Sequence, residues 1–125
     1  MTENDISYNI RGAIFNVYNA LGPGLLESVY SAALFYELSE MGFKVEKEVP
    51  VPVYYKEVKL DIGFRLDLLV EDKVIIELKS VENLAEVHHK QVISDLKITK
   101  LKLAILVNFN VAEISSGIFR KVNGL

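Results

Sequence analysis

Residues 63 to 80, GFRLDLLVEDKVIIELKS, constrain the fold more than any other stretch. Two short runs rich in Val, Ile, Leu and Phe, ending at Val70 and starting again at Val74, flank Glu71-Asp72-Lys73. In the first run Phe64, Leu66, Leu68 and Val70 share one face, while Arg65, Asp67 and Leu69 share the other. In the second, Val74, Ile76 and Leu78 oppose Ile75, Glu77 and Lys79. Apolar residues on both faces are what central, doubly covered strands require. Asp67, Glu77 and Lys79 are therefore charges written into strands that otherwise read as buried.

The rest of the chain supplies the cover. Ile6, Ile10, Ala13, Ile14, Val17, Tyr18 and Leu21 recur at helical spacing and predict a first helix ending near Gly22-Pro23. A second helix is expected from about Leu25 to Met41, with Val29, Ala33, Leu34 and Leu38 as its apolar stripe and Gly42 at its C-terminus. Val45, Val49, Val51 and Val53 alternate with polar residues and prolines, as in a half-exposed strand. Pro50 and Pro52 cannot donate ladder bonds, which makes this an edge strand or an interrupted one. Two strands follow, about Val58–Val70 and Val74–Lys79, then a helix over Asn83–Thr99, the strand LKLAILVNF and a final strand within ISSGIFRKV. The order predicts an α/β fold with a mixed sheet flanked by helices.

With 125 residues and no linker-like tract, the expectation is one domain with a core of its own. The absence of cysteine excludes disulfides, thiolate metal sites and thiol catalysis. No apolar run approaches the roughly 20 residues of a membrane span, and the acidic start MTENDIS precedes no signal-like block. A cytoplasmic protein is expected. The net charge of −3 argues against a general nucleic-acid coat, though not against a local basic strip.

Register decides whether the embedded charges meet. A three-residue loop over Glu71 to Lys73 sets Asp67 opposite Glu77 and Arg65 opposite Lys79, on one face. A two-residue loop would send Glu77 to the other side. No Asn-Gly or Asp-Gly is present to favour the shorter turn, so the odd-length loop is expected. Two carboxylates about 4 Å apart repel by roughly 4 kcal/mol at an effective dielectric of 20. A proton, a salt bridge or a divalent cation relieves that repulsion. Oxygen ligands suit Mg²⁺ or Mn²⁺, and Lys79 stands where it can hold a water or steady charge on a phosphate. The same residues also fit a structural cluster of salt bridges joining Asp67 and Glu77 to Lys79 and Arg65.

A fourth charge enters from GPGLLESVY. Glu27 falls in the first turn of the second predicted helix, where an acidic residue gains roughly 0.3–1 kcal/mol from the helix dipole. Asp67 followed by Glu77-Leu78-Lys79 resembles the D…(D/E)xK signature of the PD-(D/E)XK nuclease superfamily. The expected element order resembles that superfamily's restriction-endonuclease-like αβββαβ core. Gly24, Glu27 and Tyr30 resemble the G-x-x-E-x-x-Y motif of its GxxExxY family, a small prokaryotic branch. The likeness runs from Ile10 to about Arg120.

The resemblance implies a metal-dependent nuclease that hydrolyses phosphodiester bonds in nucleic acid, DNA ahead of RNA, with Mg²⁺ or Mn²⁺ as cofactor. Asp67, Glu77 and the Leu78 carbonyl would hold the metal, with Glu27 adding a carboxylate directly or through water. Lys79 would position or deprotonate the attacking water. Gln91 resembles the glutamine that follows ExK in RecB-like members, whereas Asp95 stands where many of those carry tyrosine. His88, Gln91 and Asp95 share one helical face. Tyr30 and His88 are the expected substrate contacts, with Tyr30 read equally as a core tyrosine. A chain this short, without a separate recognition domain, is expected to act as a homodimer or with a partner chain.

His88 and the adjacent His89 diverge by about 100° on a helix and cannot chelate one ion together, so His89 is expected in solvent. Lys97, Lys100, Lys102, Arg120 and Lys121 read as ordinary surface, and GPG lacks the Lys-Ser/Thr of a phosphate loop. Two other functions fit the same residues: a non-catalytic binding or regulatory module keeping the fold, and hydrolysis of a smaller phosphate ester.

Overall fold

The computed structural model describes residues 1–125. Helix α1 (Glu3–Leu21) begins at Thr2, whose hydroxyl accepts from the Asp5 amide while Asp5 accepts from the Thr2 amide. This reciprocal cap satisfies two amides that the first turn leaves without partners. The helix buries Ile6, Ile10, Ala13, Ile14 and Val17 and ends at Gly22, whose φ of 71° favours glycine. Helix α2 (Glu27–Glu40) buries Tyr30, Leu34 and Leu38. Val29 lies 41 % exposed, so the inward stripe is rotated from the expected one toward Tyr30.

The main sheet contains β1 (Val45–Val51), β4 (Phe64–Val70), β5 (Val74–Lys79), β6 (Leu103–Asn108) and β7 (Ile118–Val122), in the order β1-β4-β5-β6-β7. A separate ribbon pairs β2 (Tyr54–Tyr55) with β3 (Val58–Lys59), which splits the long strand expected over Val58–Val70. Helix α3 (Glu86–Thr99) carries the chain across to the parallel pair β5–β6, the one parallel step in the sheet. The proline-bearing β1 lies at an edge, as proline's missing donor requires.

Helices α1 and α2 cover one face through Leu68, Val70, Ile76, Leu78, Ile105 and Val107. Helix α3 covers the other through Leu66, Ile75, Ala104 and Leu106, with Val92 and Leu96 from the helix. Leu66 and Leu68 thus serve opposite cores although two residues apart. In β1, Val45 packs with the α1–α2 core and Val49 and Val51 with the α3 core. Both strands reverse their alternation at the same rung. On β1 the reversal coincides with Glu48, held at φ 51°, and the ladder omits the Glu48–Asp67 pair. The single face expected for Phe64, Leu66, Leu68 and Val70 is corrected accordingly: two pairs of residues face two ways around Asp67.

The β4–β5 connection is three residues long, with Val70 opposite Val74. Glu71 and Asp72 both adopt positive φ, 54° and 56°, and the Lys44 amide donates to the Glu71 carboxylate at 2.6 Å. The expected odd-length loop is the observed one, but the ladder ends at Leu68–Ile76, so the expected pairs Asp67–Glu77 and Arg65–Lys79 on one face do not form. No helix is long and apolar enough to cross a membrane.

Candidate active site

The reversed rung sets up the site. Ladder pairing between β4 and β5 runs from Val70–Val74 to Leu68–Ile76 and stops before Asp67. There the Asp67 carboxylate accepts from the Leu78 amide at 2.8 Å, taking the place of a backbone carbonyl. Asp67 therefore lies between the strands, with a layer of helices on either side of it. On the α2 side it lines a cavity of about 380 Å³ with Glu27, Ser28, Ser31, Lys47, Glu48 and Leu78. On the α3 side, Glu77 and Lys79 line a cavity of about 560 Å³ with Arg65, His88, Gln91 and Asp95.

Glu77 projects from the β5 face that packs under α3, and its Oε1 is fully shielded with no hydrogen-bond partner. Burial, with the Asp67 charge and hydrogen bond and the Asp95 charge adding to it, pushes its pKa up to about 9. Asp95 is raised to about 6, again by burial first and Asp67 second. Three carboxyl groups from two strands and a helix thus share one field. The ion pairs of the protein are Lys44 with Glu46 and Asp72, and Lys90 with Glu86. Lys79 and Arg65 pair with none of the three carboxyls, so the expected salt-bridge alternative is not what holds this cluster.

Glu27 opens α2 behind Leu26, which provides no side-chain cap. Its Oε2 accepts from the Ser80 amide at 3.4 Å, while the Ser80 hydroxyl donates to Leu25 O at 2.5 Å. The exit of β5 is thereby tied to the start of α2, and this tie sets Glu27 in the α2-side cavity with Asp67. Glu27 and Glu77 consequently approach Asp67 from opposite sides of the rung. No three His, Cys, Asp or Glu side chains stand together as a ready metal-holding set. The donors present are carboxylate oxygens, one of them buried and unpartnered, and that chemistry fits a hard divalent cation.

Tyr30 belongs to the core, which corrects its expected contact with substrate. It is fully buried, its ring stacks on Phe109 with centroids 4.2 Å apart, and its hydroxyl donates to Gly22 O at 2.5 Å. The same hydroxyl accepts from the Leu25 amide at 3.1 Å, so Tyr30 binds the GPG loop to the helix that presents Glu27. His88 stays at the cavity edge, where its Nδ1 accepts from the Ala85 amide at 3.0 Å and caps α3. Gln91 lines the same cavity one turn on. His89 is half-buried rather than free in solvent: it meets the Phe119 ring edge-on at 4.9 Å, and burial, with Lys121 adding, lowers its pKa.

Two residues were missed in the sequence as members of the site. Asp95 was legible as a carboxylate on the His88–Gln91 face, but not as a member of the carboxyl cluster with Glu77. Glu48 gave no signal, because a left-handed residue inside a strand leaves no trace in an alternating pattern.

The chain matches the PD-(D/E)XK nuclease superfamily over residues 4–121. No curated protein and no solved structure matches it.

Proposed function

Because this chain belongs to the PD-(D/E)XK nuclease superfamily, we propose that it hydrolyses phosphodiester bonds in nucleic acid, DNA in particular, as a member of the GxxExxY branch. Enzymes of this superfamily generally use divalent metal ions. The observation that supports the reading best is a gathering of charge without pairing. Burial and the neighbouring Asp67 and Asp95 charges raise Glu77, burial and Asp67 raise Asp95, Lys79 lines the cavity of Glu77 and Asp95, and no ion pair joins them. A stabilising cluster would pair those charges, since a buried carboxylate with an orphaned oxygen costs free energy.

Asp67 and Glu77 would hold Mg²⁺ or Mn²⁺, with Glu27 contributing from the α2 side. Bound there, such a cation polarises the phosphoryl group and acidifies the attacking water. The protein's own residues do the rest. The Leu78 amide fixes the Asp67 carboxylate through its bond at 2.8 Å. The Lys79 ammonium donates hydrogen bonds to the phosphate oxygens, where charge grows in the transition state. Gln91 and His88, on the helix facing Lys79, orient the water and the adjoining phosphate. Asp95 places a further negative charge beside the carboxylates and keeps anions other than a cation-neutralised phosphate out.

The test is cleavage of single- and double-stranded DNA and RNA with Mn²⁺, run beside Lys79→Ala. Cleavage by the wild type, lost by at least a hundredfold in the variant, is expected. Absence of cleavage together with no Mn²⁺ binding would instead favour a non-catalytic binding or regulatory module that keeps the fold.

A further inference from the structure

The β2–β3 ribbon stands outside both cores. Tyr54 pairs with Lys59 and Tyr55 with Val58, and the turn between them is Lys56-Glu57, with Lys56 at φ 57°. Tyr54 is 60 % exposed and Tyr55 65 %, a large apolar area for so short an element. Cross-strand partners share a face, so Tyr54 and Lys59 lie on one side of the ribbon and Tyr55 and Val58 on the other. The two sides differ. The Lys56 ammonium lies 5.6 Å from the Tyr55 ring centroid, whereas the Tyr54 ring has no cation or aromatic ring against it.

The Tyr54 side adjoins the candidate active site. Lys59 lines a groove of about 420 Å³ with Pro52, Leu60, Gly63 and Arg65. Phe64 and Arg65 line that groove and also the cavity holding Glu77 and Lys79. At the root of the ribbon, Gly63 passes so close to the Val51 carbonyl that any side chain would strike it, which seats the ribbon against β1. The stretch from Tyr54 to Arg65 carries three cations, Lys56, Lys59 and Arg65, against Glu57 and Asp61, in a chain of net charge −3. None of the three cations is in an ion pair.

We propose that this side of the ribbon binds a single-stranded segment of nucleic acid, with one base stacked on Tyr54 and neighbouring phosphates met by Lys59 and Arg65. The nature of the ligand rests on the nuclease reading above. An exposed ring flanked by unpaired cations is the combination that holds unpaired bases, because every base offers a π-face and every step a phosphate. A base inside a duplex already has both faces stacked, so the ribbon prefers single strands. The groove then leads the strand toward Lys79.

The test is fluorescence anisotropy of labelled single-stranded oligonucleotides in EDTA, with Tyr54→Ala, Tyr55→Ala, Tyr54→Trp and Lys59→Ala beside the wild type. Tyr54→Ala is expected to weaken binding by about five- to 150-fold, the worth of one stacked base. Tyr55→Ala stays within twofold and Tyr54→Trp restores affinity. Lys59→Ala lowers the salt slope of binding by about 0.7, one single-strand phosphate. In parallel cleavage assays with Mn²⁺, Tyr54→Ala raises KM and spares kcat. Equal affinities for Tyr54→Ala and Tyr55→Ala, no affinity of the wild type for single strands, or a Tyr54 effect confined to self-association would each overturn the proposal. Cleavage with Tyr54-independent binding sinks the ribbon site alone. Tyr54-dependent binding without cleavage sinks the nuclease reading alone.

Discussion

Glu77→Gln distinguishes a metal site from a structural cluster by stability alone. The substitution keeps the shape of the side chain and removes its charge. In the metal-free wild type, the Glu77 carboxyl holds its proton up to about pH 9, against an ordinary value of 4.5. Between those values the folded chain binds more protons than the unfolded one, so stability falls as pH rises. At pH 7 the 2.5-unit distance above 4.5 corresponds to about 3 kcal/mol, at roughly 1.4 kcal/mol per unit. Residual solvent contact makes this an upper bound. Below pH 5 the penalty nearly vanishes.

Glu77→Gln carries no such penalty. In EDTA it is expected to be more stable than the wild type by up to about 3 kcal/mol at pH 7, roughly 10 °C in Tm for a chain of this size. The difference shrinks toward zero at pH 5. Mn²⁺ at a hundredfold excess over Kd raises only the wild type, by about 2.7 kcal/mol, and closes the gap. Urea unfolding at pH 5, 6, 7 and 8, with and without Mn²⁺, measures all of this. A variant less stable than the wild type in EDTA at pH 7, by the 3–5 kcal/mol of a broken buried pair, would refute the reasoning.

Two other expectations follow from named bonds. Asp67→Ala strips the Leu78 amide of its acceptor at 2.8 Å, so it costs about 1–3 kcal/mol in EDTA besides losing Mn²⁺ binding; Asp67→Asn keeps an acceptor and separates the two effects in a calorimetric titration. Tyr30→Phe removes the bonds to Gly22 and Leu25 and is expected to cost about 1–3 kcal/mol, with amide exchange quickening first in the GPG loop.

The order of the helices and main-sheet strands, the edge or interrupted character of the strand with Pro50 and the odd β4–β5 loop were legible, because periodicity and proline act locally; the β2–β3 ribbon was not. Asp67 and Glu77 stood out for the same reason, as charges among Leu, Ile and Val. The inward rotation of α2 was not legible: Val29 and Tyr30 both suit an apolar stripe, and the stacking of Tyr30 on Phe109 together with its hydroxyl bonds to the GPG loop places the second inward. Tyr30 was open to either role, since its motif position says nothing about which way its hydroxyl turns. The reversal of alternation at Glu48 and Asp67 was invisible, as it depends on a backbone angle that no side-chain pattern encodes. Glu27 and Glu77 reach Asp67 from different sides because α2 and α3 cover opposite faces of the sheet.

A strand that feeds two hydrophobic layers in turn behaves like a vernier with two scales. Sliding β4 by a single position would mismatch Phe64 and Leu66 under α3 and, at the same stroke, Leu68 and Val70 under α1 and α2. Slippage is therefore penalised twice over, once in each layer. The residue standing at the crossing point of the two scales, Asp67, inherits the tightest placement the sheet can give.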